Sequence, residues 1–353
     1  MIITIRNQAT SDERAQLMAQ LCRITGNLRP ITATRMNAHD VLVFDATALD
    51  RESQVQLEQQ RAVERVTAIK TPYQLVSRAY KPTDSTLVIG NAHDCEQVIV
   101  GGDQPVIMAG PCAVENREQL LITAKAVKQA GANVLRGGAF KPRTSPYQFQ
   151  GLGMEGLHLL AEAREITGLP IITEVMEPDM VDTVAQHADV LQIGSRNMQN
   201  YPLLLAIGRH SAKRPVLLKR GLSASIEEWL LAAEYIVASG NPNVILCERG
   251  IRSFDQQTRN VLDLTCVPLL QELTHLPIII DPSHATGHRH LITPMSRASI
   301  AAGADGLIIE VHPDPNNALC DGKQSITPEQ LQRIVHEAHL FARMLNEEIR
   351  VGA

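Results

Sequence analysis

Between Val134 and Gly153 the chain reads VLRGGAFKPRTSPYQFQGLG. Three cations, Arg136, Lys141 and Arg143, lie close to two hydroxyls, Thr144 and Ser145, and Pro142 and Pro146 stiffen the loop between them. Arginine forks grip phosphates or carboxylates at two points, and a lysine adds a point charge or a proton. The loop is suited to holding an anion, and a solvated basic loop is the plainer reading of the same residues. What decides between them is what the neighbouring elements deliver.

From Pro105 onward short apolar runs alternate with helical stretches, the signature of βαβ units and a parallel sheet. The predicted strands are VIMAG, NVLRGG, PIITEV, VLQIGS, PVLLKR, VILCERG, PIIIDPS and GLIIEVH. Eight such strands predict an α/β chain closing as a (β/α)8 TIM barrel. An open doubly wound sheet would want a GxGxxG turn after an early strand, and none follows VIMAGP. Gly131, Gly168, Gly240 and Gly303 follow helical stretches, where left-handed helix terminators belong.

Barrel chemistry sits at the C-terminal strand ends. Strand one ends in Cys112, strand two in Arg136 and the Lys141 loop, strand three in Glu174 and strand four in Arg196. Strand five ends in Lys219-Arg220 and strand six in Glu248-Arg249. Strand seven ends in Asp281 and His284, and strand eight in Glu310 and His312, with Asp321 beyond. The groups sort into two sets. Arg136, Lys141, Arg143, Arg196, Lys219 and Arg249 could hold two phosphorylated substrates, or a phosphate and a carboxylate. Cys112, His284, Glu310 and Asp321 form a thiolate, imidazole and carboxylate set suited to a divalent transition metal with one position open. Singly, a buried Cys is more often a small hydrophobe and a strand Glu an ion-pair partner. Cys247 reads as core. His288 and His290 read as loop residues after strand seven rather than ligands.

Upstream, residues 1–70 follow the order strand, helix, strand, strand, helix, strand, a split βαβ pattern that predicts a small ferredoxin-like α+β domain preceding the barrel. Ser11 is the expected N-cap of its first helix. This unit has no cluster of catalytic side chains and reads as a regulatory or interaction module. Residues 71–84, with Pro72 and Pro82, read as a linker. Residues 85–350 then form the catalytic domain, opening with TLVIGN and EQVIVGG as a hairpin that closes one end of the barrel.

Composition narrows the function classes. The net charge of -5 argues against nucleic acid, and 3% aromatics against base-stacking platforms. No run approaches about 18 consecutive apolar residues, and MIITIRNQAT lacks a basic segment followed by an apolar one, so no membrane association and a cytoplasmic location are expected. Six cysteines without a CxxC pair argue against a disulfide framework.

With those residues in place, the chain resembles the 3-deoxy-D-arabino-heptulosonate 7-phosphate (DAHP) synthases. The matching stretches are AGPCAVE at 109–115, LRGGAFKPRTSPYQFQG at 135–151, QIGSRNMQN at 192–200, LLKRG at 217–221, CERGIRSF at 247–254, DPSHATG at 281–287, and IIEVHPDP with DGKQS near 308–325. They span the whole barrel, and the N-terminal unit with PYQLVSRAYKP resembles the subgroup whose small domain senses aromatic amino acids. The related 3-deoxy-D-manno-octulosonate 8-phosphate synthases usually carry a KANRS-type loop where this chain has KPRTS, which favours the four-carbon aldose.

The resemblance implies condensation of phosphoenolpyruvate (PEP) with erythrose 4-phosphate and water, giving DAHP and phosphate, the first step of the shikimate pathway. It implies that Arg136, Arg196, Lys219 and Arg249 grip PEP, and that Arg143, Thr144 and Ser145 hold the aldose phosphate. A divalent ion on Cys112, His284, Glu310 and Asp321, with Mn²⁺ ahead of Fe²⁺, Co²⁺ and Zn²⁺, would polarise the aldehyde. Attack by PEP C3 is followed by addition of water at C2 and loss of phosphate, with Lys141 protonating the new alkoxide or positioning the water. It further implies tyrosine or phenylalanine as effectors and a homotetramer, with a separately encoded chorismate mutase as a conceivable partner. Cys320 beside Asp321 puts a second thiol near the metal. Two rivals stand against this. A Schiff-base aldolase using Lys219 leaves the metal set without a purpose, and a sensor on a dead barrel should have lost ligands that are all present here.

Overall fold

Strands buried on both faces read as nearly continuous apolar runs, and the eight predicted runs do fold as such strands. A computed structural model describes residues 1–25, 30, 32–36, 39–44, 50–91, 93–143 and 145–351. Numbered along the chain, β7 (Val106–Gly110), β8 (Val134–Arg136), β9 (Ile171–Glu174), β10 (Val190–Ile193), β11 (Val216–Lys219), β12 (Val244–Glu248), β13 (Ile278–Ile280) and β14 (Gly306–Glu310) run parallel. Each pairs with its sequence neighbours, and β14 pairs with β7 to close the barrel.

Alternation along the strands sorts their residues into two buried layers. Val106, Met108, Val134, Ile172, Val190, Leu217, Ile245, Cys247, Ile279 and Ile308 share one cluster that fills the barrel. Their neighbours in sequence, including Ile107, Leu135, Ile171, Leu191, Leu218, Leu246 and Ile309, pack outward against the helices. Successive side chains point to opposite faces, so a residue two beyond an inward one points into the mouth. That parity selects Cys112, Arg136, Glu174, Lys219, Arg249, Asp281 and Glu310. Arg220 and Glu248 have the other parity, and they pair with each other at 3.1 Å, with the Arg220 guanidinium 5.9 Å from the Trp229 ring.

The lower end is closed by an antiparallel hairpin, β5 (Leu87–Ile89) and β6 (Val98–Val100), whose Leu87, Ile89, Val98 and Val100 join the interior cluster. The glycines expected to end helices, Gly131, Gly168, Gly240 and Gly303, all have positive φ.

At the N-terminus β1 (Ile2–Ile5), β2 (Thr32–Met36), β3 (His39–Val43) and β4 (Val63–Thr67) form an antiparallel sheet in the order β2-β3-β1-β4, with helices α1 (Ser11–Thr25) and α2 (Arg51–Glu58), as a ferredoxin-like domain requires. The N-cap of α1 is Thr10, not Ser11. Thr10 Oγ1 accepts from the Glu13 amide while Glu13 Oε2 accepts from the Thr10 amide, a reciprocal capping box that Ser11, one residue later, has no glutamate to complete. One face of the sheet carries Ile3, Ile5, Leu42 and Phe44 against the two helices. Ile2, Val41 and Val43 instead join Tyr73, Leu75 and Val76 of segment 71–84 in the cluster that also holds the barrel helices. The carboxylate of Glu234 on the helix Ile226–Ala238 accepts from the Leu75 and Val76 amides at 2.9 and 3.0 Å, fastening that segment to the barrel.

Candidate metal centre and anion pocket

Four donors of three kinds, a thiol, an imidazole and two carboxylates, converge at the mouth of the barrel. Cys112 lies two residues beyond β7 and Glu310 ends β14. His284 sits on the short helix Pro282–Thr286, and Asp321 lies in the loop that follows β14. Ligand atoms of His284, Glu310 and Asp321 lie within 4.8 Å of one another, and so do those of Cys112, Cys320 and Asp321. Cys112 Sγ is 3.1 Å from Asp321 Oδ2, and His284 Nε2 is 3.3 Å from Glu310 Oε1. Asp321 has φ +51°, a left-handed conformation rare for a residue with a side chain and concentrated at functional sites.

The histidine shows that this set fits a cation. Asp281 Oδ2 lies 2.7 Å from His284 Nδ1 and 2.6 Å from Lys219 Nζ. Burial would raise the Asp281 pKa, but His284 and Lys219 hold it well below the ordinary value, so its carboxylate is an acceptor. Nδ1 of His284 must therefore carry the proton. Burial, opposed by Asp281 and Glu310, lowers the His284 pKa to about 4, so the ring is neutral and Nε2 presents a lone pair. That lone pair faces Glu310 Oε1, and Glu310 is also ionised. Its burial is outweighed by His284, Arg136 and Lys141, which lower its pKa. Two acceptors facing each other are reconciled by a metal ion, and a histidine oriented through its other nitrogen by a carboxylate is the usual arrangement around one. Burial pushes the Cys112 thiol well above its ordinary pKa, so a thiolate there needs a cation beside it.

Further contacts hold the donors in place. Arg136 donates to Glu310 Oε1 at 2.8 Å and to the Pro111 carbonyl at 3.1 Å, and Gln324 Nε2 donates to Glu310 Oε2 at 2.7 Å. Lys141 Nζ donates to Cys112 Sγ at 2.8 Å and lies 3.7 Å from Asp321. Burial alone would lower the Lys141 pKa, but Cys112, Glu310 and Cys320 outweigh it and keep the ammonium charged. Glu115 Oε1 accepts from the Leu319 amide at 2.9 Å, tying the loop that carries Cys320 and Asp321 back to the loop after β7.

Beside this centre opens a cavity of about 460 Å³ into which Arg143, Arg196, Lys219, Arg249, Arg252 and Arg259 all face. Lys219 is paired with Asp281, and Arg259 lies 3.9 Å from Asp321. Among the described residues no carboxylate pairs with Arg143, Arg196, Arg249 or Arg252. Arg249 is only 5% exposed, and burial lowers its pKa with Asp281 opposing. A buried guanidinium without an anionic partner is costly unless a ligand supplies one. Glu174, whose pKa is raised by burial, lines the same space, and its Oε1 would lie 2.1 Å from a Cβ at position 194, so a side chain there would displace the Glu174 carboxylate.

The mouth thus brings together Cys112, Arg136, Lys141, Arg143, Arg196, Lys219, Arg249, His284, Glu310 and Asp321. Thr144 lies outside the described residues. Ser145 Oγ accepts from the Tyr147 amide at 3.4 Å, and Ser145 does not line the cavity. His288 precedes the helix Arg289–Ala301 and His290 lies within its first turn, so the second is helical rather than a loop residue; both stand outside the metal set. Glu115, Arg252 and Gln324 lie within the matching stretches but received no role from the sequence, and Arg259 lies outside them; all four sit beyond the strands, where alternation gives no signal.

The profile of the DAHP synthetase I family matches residues 60–345. This chain belongs to that family. Phospho-2-dehydro-3-deoxyheptonate aldolase from Thermotoga maritima is 49% identical over 287 residues, covering 81% of this chain and 82% of that protein. A 2-dehydro-3-deoxyphosphooctonate aldolase from Syntrophotalea carbinolica is 34% identical over 259 residues, covering 68% and 92%. Among solved structures, the DAHP synthase of T. maritima superposes with a TM-score of 0.74 at 43% identity, covering 98% of this chain and 97% of that one. A truncated form of the T. maritima enzyme covers 77% of this chain with a TM-score of 0.70 at 46% identity. DAHP synthases generally use a divalent metal, and the described residues gather ligand groups for one. No helix among the described residues is long and apolar enough to cross a membrane.

Proposed function

We infer that this chain is a DAHP synthase, condensing PEP with erythrose 4-phosphate and water to release DAHP and phosphate. The observation that carries the reading is the cavity in which Arg143, Arg196 and Arg249, unmatched by carboxylates, open beside the four-donor centre. PEP brings a carboxylate and a phosphate and the aldose another phosphate, and their mutual repulsion is the main obstacle to bringing them together.

The buried Arg136, Lys219 and Arg249, together with the exposed Arg196 at the same cavity, are assigned to PEP. Arg143, which lines the cavity, is assigned to the aldose phosphate, with Thr144 beside it in sequence; Ser145 does not line the cavity and is left out of this assignment. Holding both reactants removes an entropic barrier that positioning can lower by roughly 7–11 kcal/mol. Cys112, His284, Glu310 and Asp321 would hold the divalent ion, which supplies Lewis-acid polarisation of the aldehyde oxygen. PEP C3 then bonds to the aldehyde carbon, water adds at C2, and the C2–O bond to phosphate breaks. Lys141, kept protonated by the anions around it, is placed to give a proton to the new alkoxide. Its charge makes it the acid rather than the base of the step.

Mn²⁺ is the ion proposed for turnover, since carboxylate ligands suit it, with Fe²⁺, Co²⁺ and Zn²⁺ able to occupy the same donors. The proposal includes a division into residues 1–70, a joining segment 71–84 and a catalytic unit 85–350, a cytoplasmic location and a homotetramer. It also gives the N-terminal unit a role in inhibition by tyrosine or phenylalanine; it does not extend to a chorismate mutase partner. Phosphate release from PEP is expected with erythrose 4-phosphate and not with arabinose 5-phosphate. EDTA should abolish that activity and Mn²⁺ restore it; full turnover of the metal-stripped protein would defeat the ligand assignment.

A further inference from the structure

Cys320 is a second thiol at the mouth, outside the set of four donors. It is buried directly before Asp321, with Sγ 3.2 Å from Cys112 Sγ. The two sulfurs and the Asp321 carboxylate form one close triad and His284, Glu310 and Asp321 another, so Asp321 is common to both. Each sulfur meets its own cation. Lys141 Nζ lies 2.8 Å from Cys112 and Arg143 Nη1 lies 2.6 Å from Cys320. Two thiols in an apolar pocket are usually inert filling, and Ala113 and Phe149 do pack against these. Filling does not call for an ammonium, a guanidinium and a carboxylate within hydrogen-bond reach of the sulfurs.

Neighbouring side chains on an extended backbone point apart. The left-handed turn at Asp321 instead lets residues 320 and 321 reach the same centre. Two adjacent thiolates would repel, and the Lys141 and Arg143 contacts are the kind that offset such charge around a metal.

We propose that Cys320 is a fifth ligand of the divalent ion. The site then holds thiophilic ions such as Zn²⁺, Co²⁺ and Cd²⁺ through two sulfurs, more tightly than the four donors could alone. The inference rests on the metal reading given above and specifies which ions that site favours, because thiolate ligands select softer metals than carboxylates do.

The test uses the full chain, stripped of metal and kept reduced with a phosphine. It is titrated with Co²⁺ while the sulfur-to-cobalt charge-transfer band is read in the wild type, Cys320→Ser and Cys112→Ser. Each variant is expected to show about half the wild-type band, since one of two metal–sulfur bonds is lost. Chelator competition should show Zn²⁺ affinity falling roughly 10–100-fold in Cys320→Ser, a scale typical of lost support around a metal, with Mn²⁺ affinity falling much less. Circular dichroism checks that the variants fold, and Cys320→Ala gives the same readout if serine disturbs the site. An undiminished band in Cys320→Ser, or Zn²⁺ and Mn²⁺ affinities falling by the same factor, would overturn the proposal. Cobalt bound by the wild type without any sulfur band would do so too. Failure of the wild type to bind Co²⁺ at all would remove the ligand quartet itself, and this inference with it.

Discussion

One oxygen of Asp281 serves both Lys219 and His284, so the anion pocket and the metal centre share a single support. Replacing it with asparagine keeps the size but removes the charge that fixes the histidine tautomer. Asp281→Asn is therefore expected to weaken metal binding roughly 10–100-fold, measured by chelator competition. An unchanged metal affinity would show that the ring is oriented by something else. The arginines that face no carboxylate allow a second prediction. Loss of a hydrogen bond to a charged group costs about 1.5–3 kcal/mol, or roughly one to two orders of magnitude in kcat/KM. Arg196→Ala should show that loss mainly for PEP, and Arg143→Ala mainly for the aldose. Steady-state kinetics with the two effects reversed would redraw the pocket.

At the level of strands, turns and caps, much of the arrangement was legible because alternation along a strand has a fixed period. Once VLLKR is read as a strand, Lys219 and Arg220 must face opposite ways, and only Lys219 reaches the mouth. Loops offer no such rule. Cys320 was legible near the metal donors only through its place beside Asp321, and the hold of Glu115 on Leu319, which joins positions two hundred residues apart, was not legible at all. The cap of α1 was within reach, since Thr10 and Glu13 have capping-box spacing. A joint invisible in the sequence lies below the barrel. His275 Nε2 donates to the Leu75 carbonyl at 2.9 Å, and its Nδ1 lies 2.8 Å from Ser85 Oγ, so it links segment 71–84 to the strand connections. Burial lowers its pKa from 6.5 to about 4. Between those values the unfolded chain takes up a proton that the folded chain refuses. Stability should therefore drop as pH falls from about 6.5 to 4, by up to roughly 3 kcal/mol from this residue. In thermal melts across that range, His275→Gln should lose stability with acid less steeply than the wild type; parallel slopes would assign the loss to other groups.

On the scale of the whole molecule, the small domain lies with one sheet face against segment 71–84 and the barrel helices. The Glu234 carboxylate holds that segment by its backbone, so the attachment persists if the domain shifts. The barrel carries every residue assigned to chemistry, and a truncated T. maritima relative superposes on 77% of this chain. Deleting residues 1–70 should keep DAHP formation, abolish inhibition by tyrosine or phenylalanine, and lower the melting temperature because Tyr73, Leu75 and Val76 lose their cover. Inhibition that survives the deletion would locate the effector site on the barrel.

Side chains fill the barrel between the hairpin and the mouth, so the catalytic space has a closed floor and is entered from the mouth. Under the proposed assignment, PEP lies against the buried Lys219 and Arg249 and the sugar phosphate against the less buried Arg143, so a sugar phosphate seated first would obstruct PEP. The three-carbon reactant is then expected to load before the sugar phosphate, and product-inhibition kinetics showing random loading would count against the proposed division of the cavity.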